Sequence, residues 1–301
     1  MDVFISVDIE GITGLVSWSQ CSRPDGGSFD YHFARRMMSH DVNAAIRGAR
    51  SAGADRIVVK DSHGNSKNLL IEDLEPGVEL ISGHGGSLPG GGTDGMMQGV
   101  DGSFAAAILV GYHAMAGTPR GVMEHSITGS IHRITINGIP VGEMGLAAGV
   151  AGRYGVPLVA VTSDEAGCAE AAALLPGVRT AAVKEGLSRY QARMLHPSVT
   201  GPMIEETVRA ALSGPAALPS ATEPGLVRAD ELARGVFAPE GPLTVRVEFN
   251  RSEEADKCGR LPLVRRVDGY SVEGTFPDFK SAHDAIWLLV DLSFQGIASQ
   301  H

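Results

Sequence analysis

Asp8 and Glu10 close an apolar run, Val3-Phe4-Ile5-Ser6-Val7, and are separated by a single isoleucine. If that run is a strand, its two-residue repeat puts both carboxylates on the same face. Two like charges held there repel, and burial raises the cost. A divalent cation removes the conflict. Two further apolar runs end in imidazoles. Arg56 to Lys60 is followed by Asp61-Ser62-His63, and Phe104 to Val110 by Gly111-Tyr112-His113. One histidine after one strand is an ordinary hydrogen-bonded loop residue. Two of them in positions matching the Asp8/Glu10 pair point to a shared metal site.

Two more residues are ambiguous when taken alone. Glu143, in Val141-Gly142-Glu143, follows a hairpin and reads as a surface carboxylate. His125, in Gly121-Val122-Met123-Glu124-His125-Ser126, lies in a loop. It reads either as an ordinary loop histidine or as a group for proton transfer or nucleophilic attack. Asp8, Glu10, His63, His113 and Glu143 together offer two imidazoles and three carboxylates, a mixed set suited to zinc or another transition ion. A catalytic zinc takes about three protein ligands, so five side chains suit two ions sharing one carboxylate and set ~3.5–4 Å apart.

The elements that position these residues alternate. Apolar runs at 3–9, 56–60, 104–110 and 156–161 read as buried strands, and 30–52, 145–154 and the alanine-rich stretch after Glu165 read as helices. This pattern predicts an α/β fold with a mostly parallel sheet flanked by helices. In such a sheet the carboxyl ends of the strands share one edge, where ligands bind. A hairpin is expected at Ile131 to Val141 around Asn137-Gly138. The Pro-, Ala- and Ser-rich stretch 213–225 reads as a linker between a catalytic domain, 1–212, and a smaller C-terminal α+β region, 226–301. In that region 243–249, 263–267 and 270–276 read as strands and 278–294 as a closing helix. The glycine-rich stretch Gly83 to Gly95 reads as a mobile surface loop, and no Gly-Lys-Ser/Thr follows to make it a phosphate loop.

Composition narrows the function. The chain has 301 residues, with 43% hydrophobic and 20% charged, as expected of a globular protein with a sizeable core. Its 35 acidic and 25 basic residues leave a formal charge of -10, which disfavours nucleic acid as a partner. Cys21, Cys168 and Cys258 form no CxxC pair and suit a reducing compartment. The apolar runs are too short to span a bilayer, and the N-terminus has no signal-peptide pattern. Together these place the protein in the cytoplasm, without membrane partners.

The motifs Ser6-Val7-Asp8-Ile9-Glu10-Gly11-Ile12, Asp61-Ser62-His63, Gly111-Tyr112-His113-Ala114, Gly121 to Ser126 and Pro140-Val141-Gly142-Glu143-Met144-Gly145-Leu146 resemble, in order and spacing, those of the DppA-type zinc D-aminopeptidases. The resemblance extends through Thr180 to Lys184 and Val247-Glu248-Phe249 and so covers nearly the whole chain. It implies two zinc ions per subunit on Asp8, Glu10, His63, His113 and Glu143, with Asp8 bridging, and His125 as the active-site histidine. It also implies a homodecamer and short peptides with an N-terminal D-residue, such as D-Ala-D-Ala, as substrates. The Gly83 to Gly95 stretch departs from the family pattern. Two other readings remain at this point: a metal-dependent phosphoesterase or nuclease, since Asp8-Ile9-Glu10 is also similar to the Asp-x-Glu element of proofreading exonucleases, and a non-catalytic small-molecule-binding α/β module.

Overall fold

The computed structural model describes residues 1–21, 29–85, 88–89, 91–213 and 235–295. In chain order the strands are β1 (Asp2–Val7), β2 (Arg56–Asp61), β3 (Glu79–Ile81), β4 (Ala106–Val110), β5 (Ile131–Ile136), β6 (Ile139–Pro140), β7 (Leu158–Asp164), β8 (Arg179–Ser188), β9 (Gln191–Met194), β10 (Leu243–Phe249), β11 (Arg265–Arg266) and β12 (Ser271–Phe276). The α-helices are α1 (Trp18–Cys21), α2 (Phe29–Ser51), α3 (Glu143–Arg153), α4 (Glu165–Leu174), α5 (Pro197–Ser213), α6 (Ser252–Cys258) and α7 (Phe279–Gln295).

One sheet runs β3-β2-β1-β4-β7-β8-β9. Its pairings are parallel except for the last, β8 with β9. The order turns around between β1 and β4: β1 leads outward to β2 and β3, β4 to β7 and β8. That is the switch point where an open α/β sheet leaves a crevice beyond its strand ends. β1 and β4 are buried on both faces, with Val3, Phe4, Ile5, Val7 and 107–110 fully inaccessible. This explains why both read as near-continuous apolar runs. Burying each such side chain contributes about 1.5–3 kcal/mol.

The second sheet, β11-β12-β10-β5-β6, is antiparallel throughout. The expected hairpin is present, and Asn137 (φ 52°) and Gly138 (φ 79°) supply the two left-handed residues that its two-residue turn requires. β5 pairs with β10, so this sheet draws strands from both sides of the 213–225 stretch. Of that stretch, 214–225 lie outside the described residues.

Some boundaries differ from those expected. The run at 156–161 begins its strand at Leu158 and continues to Asp164. Only Arg265–Arg266 of 263–267 pairs. The hairpin β8–β9 and helices α5 and α6 were not evident from apolar periodicity. The glycine-rich stretch is anchored at its end: Asp94 is buried, pairs with Arg153 at 2.7 Å and accepts a hydrogen bond from Tyr154 Oη at 3.0 Å. Residues 86, 87 and 90 of that stretch lie outside the described residues. No helix among the described residues is long and apolar enough to cross a membrane.

Candidate metal centre

The ladder of the parallel sheet continues past the strand ends and sets the site. Asp8 N–H donates to the Val110 carbonyl, Gly11 N–H to that of Gly111, and Ser62 N–H to that of Val7, each at 2.8 Å. The ends of β1, β2 and β4 are thus tied side by side. Two glycines permit the approach. A Cβ on Gly11 would lie 1.8 Å from the Tyr112 carbonyl oxygen, and one on Gly111, at φ +71°, would lie 2.4 Å from that of Asp8. Beneath them Ser6 Oγ lies 2.7 Å from both Ser62 Oγ and Tyr112 Oη, joining the same three strands through hydroxyls.

Asp8, Glu10, His63, His113 and Glu143 converge above this clasp, and His125 joins them. Asp8 presents its two oxygens in different directions: Oδ1 lies 3.3 Å from His63 Nδ1, and Oδ2 lies 3.5 Å from His113 Nε2. Glu10 Oε2 is 3.2 Å from His63 Nδ1. Glu143 Oε1 is 3.2 Å from His113 Nε2 and 3.7 Å from His125 Nε2. The ligand atoms form two groups able to hold an ion, Asp8/Glu10/His63 and His113/His125/Glu143. Asp8 Oδ2 lies at the join between them. Glu143 reaches the site because it is the first residue of α3, which turns directly out of the β6 hairpin. From sequence alone that position resembled an exposed hairpin end.

The electrostatics are those of a site short of positive charge. Burial and the adjoining Glu10 charge push the Asp8 carboxyl up to about 7. Burial also opposes the charge on Glu10, but His63 holds it well below the usual carboxylate range. Burial likewise disfavours charge on His63 and His113. Glu10 beside the first and Glu143 beside the second nevertheless raise both imidazoles well above their ordinary value. Without a cation the charges of Glu10 and Glu143 are balanced only by protons held on His63 and His113. Even so, Asp8 Oδ2, Glu10 Oε2 and His113 Nε2 are buried with no hydrogen-bond partner, a state that costs free energy unless something else fills their coordination. Acidic oxygens and imidazole nitrogens that converge, buried and unpartnered, fit a pair of divalent cations.

Backbone carbonyls set the tautomers of two rings. His113 Nδ1 donates to Ala114 O and His125 Nδ1 to Met123 O, each at 3.0 Å, so Nε2 is the nitrogen that each ring turns to the cluster, a lone pair on His125 and one that His113 would free for an ion by losing its second proton. Burial and the nearby His113 lower the pKa of His125, so its Nε2 is available as a base. The loop that carries His125 is held in an uncommon shape. Arg120, Met123 and Ile127 all have positive φ, at 63°, 56° and 64°, and for β-branched Ile127 this is a strained conformation. Asp164 accepts from Val122 N–H at 2.5 Å, and Glu143 accepts from Ile127 N–H at 2.6 Å. The strain is therefore held by contacts at both ends of the loop.

Sequence reasoning missed Lys184. It is buried within β8, and its Nζ donates to the carbonyls of Glu10, Ile12 and Leu15 at 2.7, 2.8 and 2.8 Å. It thereby shapes the turn that follows Glu10. The signal available was a single lysine closing an apolar run, Thr180-Ala181-Ala182-Val183-Lys184.

A family model for D-aminopeptidase matches residues 1–288. The chain belongs to the D-aminopeptidase family. A curated relative within it, a D-aminopeptidase of Bacillus subtilis (strain 168), is 38% identical over 296 residues, covering 98% of each chain. A solved structure, described as the Zn-dependent D-aminopeptidase DppA from Bacillus subtilis, a self-compartmentalizing protease, superposes with a TM-score of 0.85 at 32% identity and covers 98% of each chain. The architecture of the family, a mostly parallel α/β sheet with an antiparallel companion, is the one found in this chain.

Proposed function

We propose that this protein is a metal-dependent aminopeptidase that hydrolyses short peptides or amides with an N-terminal D-amino acid, such as D-Ala-D-Ala. Two zinc ions per subunit would be held by Asp8, Glu10, His63, His113 and Glu143, with Asp8 bridging. The observation that carries this reading is Asp8 itself: its two carboxylate oxygens face histidines from two different strands, within a chain of the D-aminopeptidase family. The zinc dependence of the Bacillus subtilis structure supports the choice of metal, and its self-compartmentalizing character supports a homo-oligomer; the decamer rests on the family resemblance, and the cytoplasmic location on the amino-acid sequence.

When bound, the ion pair supplies the Lewis acidity that polarises a scissile carbonyl and lowers the pKa of an attacking water. His125 would either attack the carbonyl carbon through Nε2, or take a proton from the attacking water there and carry it to the departing amine; the Nδ1 bond to Met123 O, which keeps Nε2 free, supports both. Glu143 anchors the loop that carries this ring by accepting from Ile127 N–H. His63 and His125 keep side-chain exposures of 14% and 11%, against 1–5% for the other four residues, so substrate reaches the site along their edges.

The test is a panel of D- and L-aminoacyl amides and dipeptides, assayed with and without chelator. Chelator-sensitive hydrolysis confined to free amino ends of D-configuration is expected. Equal turnover of L-substrates, or turnover that survives metal removal, overturns the reading.

A further inference from the structure

Trp18 is exposed by 36% yet sits against His125, with ring centroids 5.0 Å apart and planes at 79°. The opposite environment of His125 is filled by His113, stacked at 4.0 Å. Trp18 is not a loosely held surface side chain. Its Nε1 donates to Tyr190 Oη at 3.0 Å, and Tyr190, itself 51% exposed, lies under the Arg189 guanidinium at 5.5 Å. Arg189 in turn donates to the carbonyl of Glu124, the residue before His125. The chain entering α1 just before Trp18 is pinned by Gln20 Oε1, which accepts from Val16 N–H and Ser17 N–H. A chain of contacts thus runs from α1 across the β8–β9 turn and back to the loop carrying His125. It holds a large, partly open indole surface against the ring of His125.

We infer that Trp18, held in place by Tyr190, is a specificity-determining residue: it is the apolar wall that receives the substrate side chain flanking the scissile bond. This inference rests on the peptidase reading above. Binding sites gain affinity from rigid aromatic surface beside a few fixed polar groups, and among the described residues Trp18 is the partly exposed aromatic side chain that touches His125. On the side of the bond where the wall acts, a bulky apolar side chain such as D-Leu or D-Phe gains more from Trp18 than that of D-Ala does.

The test uses the zinc-loaded full chain and compares wild type with Trp18→Ala, Trp18→Phe and Tyr190→Phe. One series of substrates varies the amino-terminal residue (D-Ala, D-Leu and D-Phe amides). A second varies the residue after the bond (D-Ala followed by Gly, D-Leu or D-Phe), which shows on which side the wall acts. In one series Trp18→Ala is expected to lower kcat/KM for the bulky substrates about tenfold or more, the scale of a lost apolar pocket contact, mainly by raising KM. D-Ala amide and D-Ala-Gly should fall clearly less, so that the preference for bulky over small substrates collapses, and Trp18→Phe should restore much of that preference. A uniform fall across both series, or no change, overturns the inference. Indole fluorescence supplies a readout without turnover, taken as the difference between wild type and Trp18→Phe. Saturable change on adding D-phenylalanine amide, and little with D-alanine amide, is expected. If wild type cleaves no member of the panel, the peptidase reading fails and this titration alone decides whether Trp18 meets apolar ligands. A flat trace then overturns the inference too.

Discussion

The imidazoles of His113 and His125 lie face to face, with ring centroids 4.0 Å apart and planes only 12° from parallel. Both rings direct Nε2 toward Glu143, at 3.2 and 3.7 Å. The stack joins a strand-end histidine of the candidate metal cluster to a loop histidine for which we propose a different task. Nearness of this kind lowers the pKa of the second ring, and burial lowers it further.

From this follows a separation of roles. His125→Ala leaves Asp8, Glu10, His63, His113 and Glu143 in place, so zinc content is expected to stay near two per chain. Turnover should fall about 10²–10⁴-fold, the usual contribution of a positioned acid–base group. Elemental analysis beside kcat decides it. Near-normal kcat removes His125 from the mechanism, and lost zinc makes it a ligand.

Asp8 faces both halves of the cluster, whereas Glu143 faces only one. Asp8→Asn is therefore expected to bring metal content below one ion per chain, and Glu143→Gln to leave about one. Chelation should also lower the melting temperature, since a ligand at a hundred times its Kd stabilises by about 2.7 kcal/mol. Added zinc should restore the melting temperature. A thermal curve indifferent to chelator would argue that the carboxylates are not metal-bound.

Lys184 bonds three buried carbonyls in the turn after Glu10. Lys184→Met fits the space but leaves those carbonyls without donors, a loss on the order of 3 kcal/mol or more by the cost of unsatisfied buried groups. Zinc affinity should fall along with it, because Glu10 loses its support. Chemical denaturation and zinc competition titration measure the two effects. Unchanged values in both would show that the cage is dispensable.

His283, within α7, has its pKa lowered to about 4 by burial. Above its unfolded value near 6.5 both states are neutral, and stability is unaffected. As pH falls from 6.5 toward 4 the unfolded chain takes up a proton that the folded chain refuses, so stability is lost at about 1.4 kcal/mol per pH unit. Below 4 the loss is complete. Urea titrations of wild type and His283→Gln across this window should show a shallower pH slope for the variant. Coincident slopes would mean that His283 is not held neutral in the folded protein.

What the sequence determined by itself was local. Apolar runs of strand length ending in Asp8 and Glu10, His63 and His113 were visible because a buried parallel strand needs apolar side chains on both faces, and polar residues can begin only where it stops. The Asn137-Gly138 turn was visible because few residue pairs tolerate two left-handed conformations. Tertiary structure alone decided the rest. Glu143 belongs to the cluster because α3 starts at that residue and sets its carboxylate 3.2 Å from His113 Nε2, and nothing in its neighbours reports that distance. Lys184 and Trp18 act on Glu10 and His125 across more than a hundred residues of chain in each case. The strands β5 and β10, likewise far apart in sequence, were joined in one sheet. Periodicity records which face of an element is buried, but not which remote element buries it. That choice is made by packing, where the strand order around β1 and β4 brings separate chain ends to one crevice.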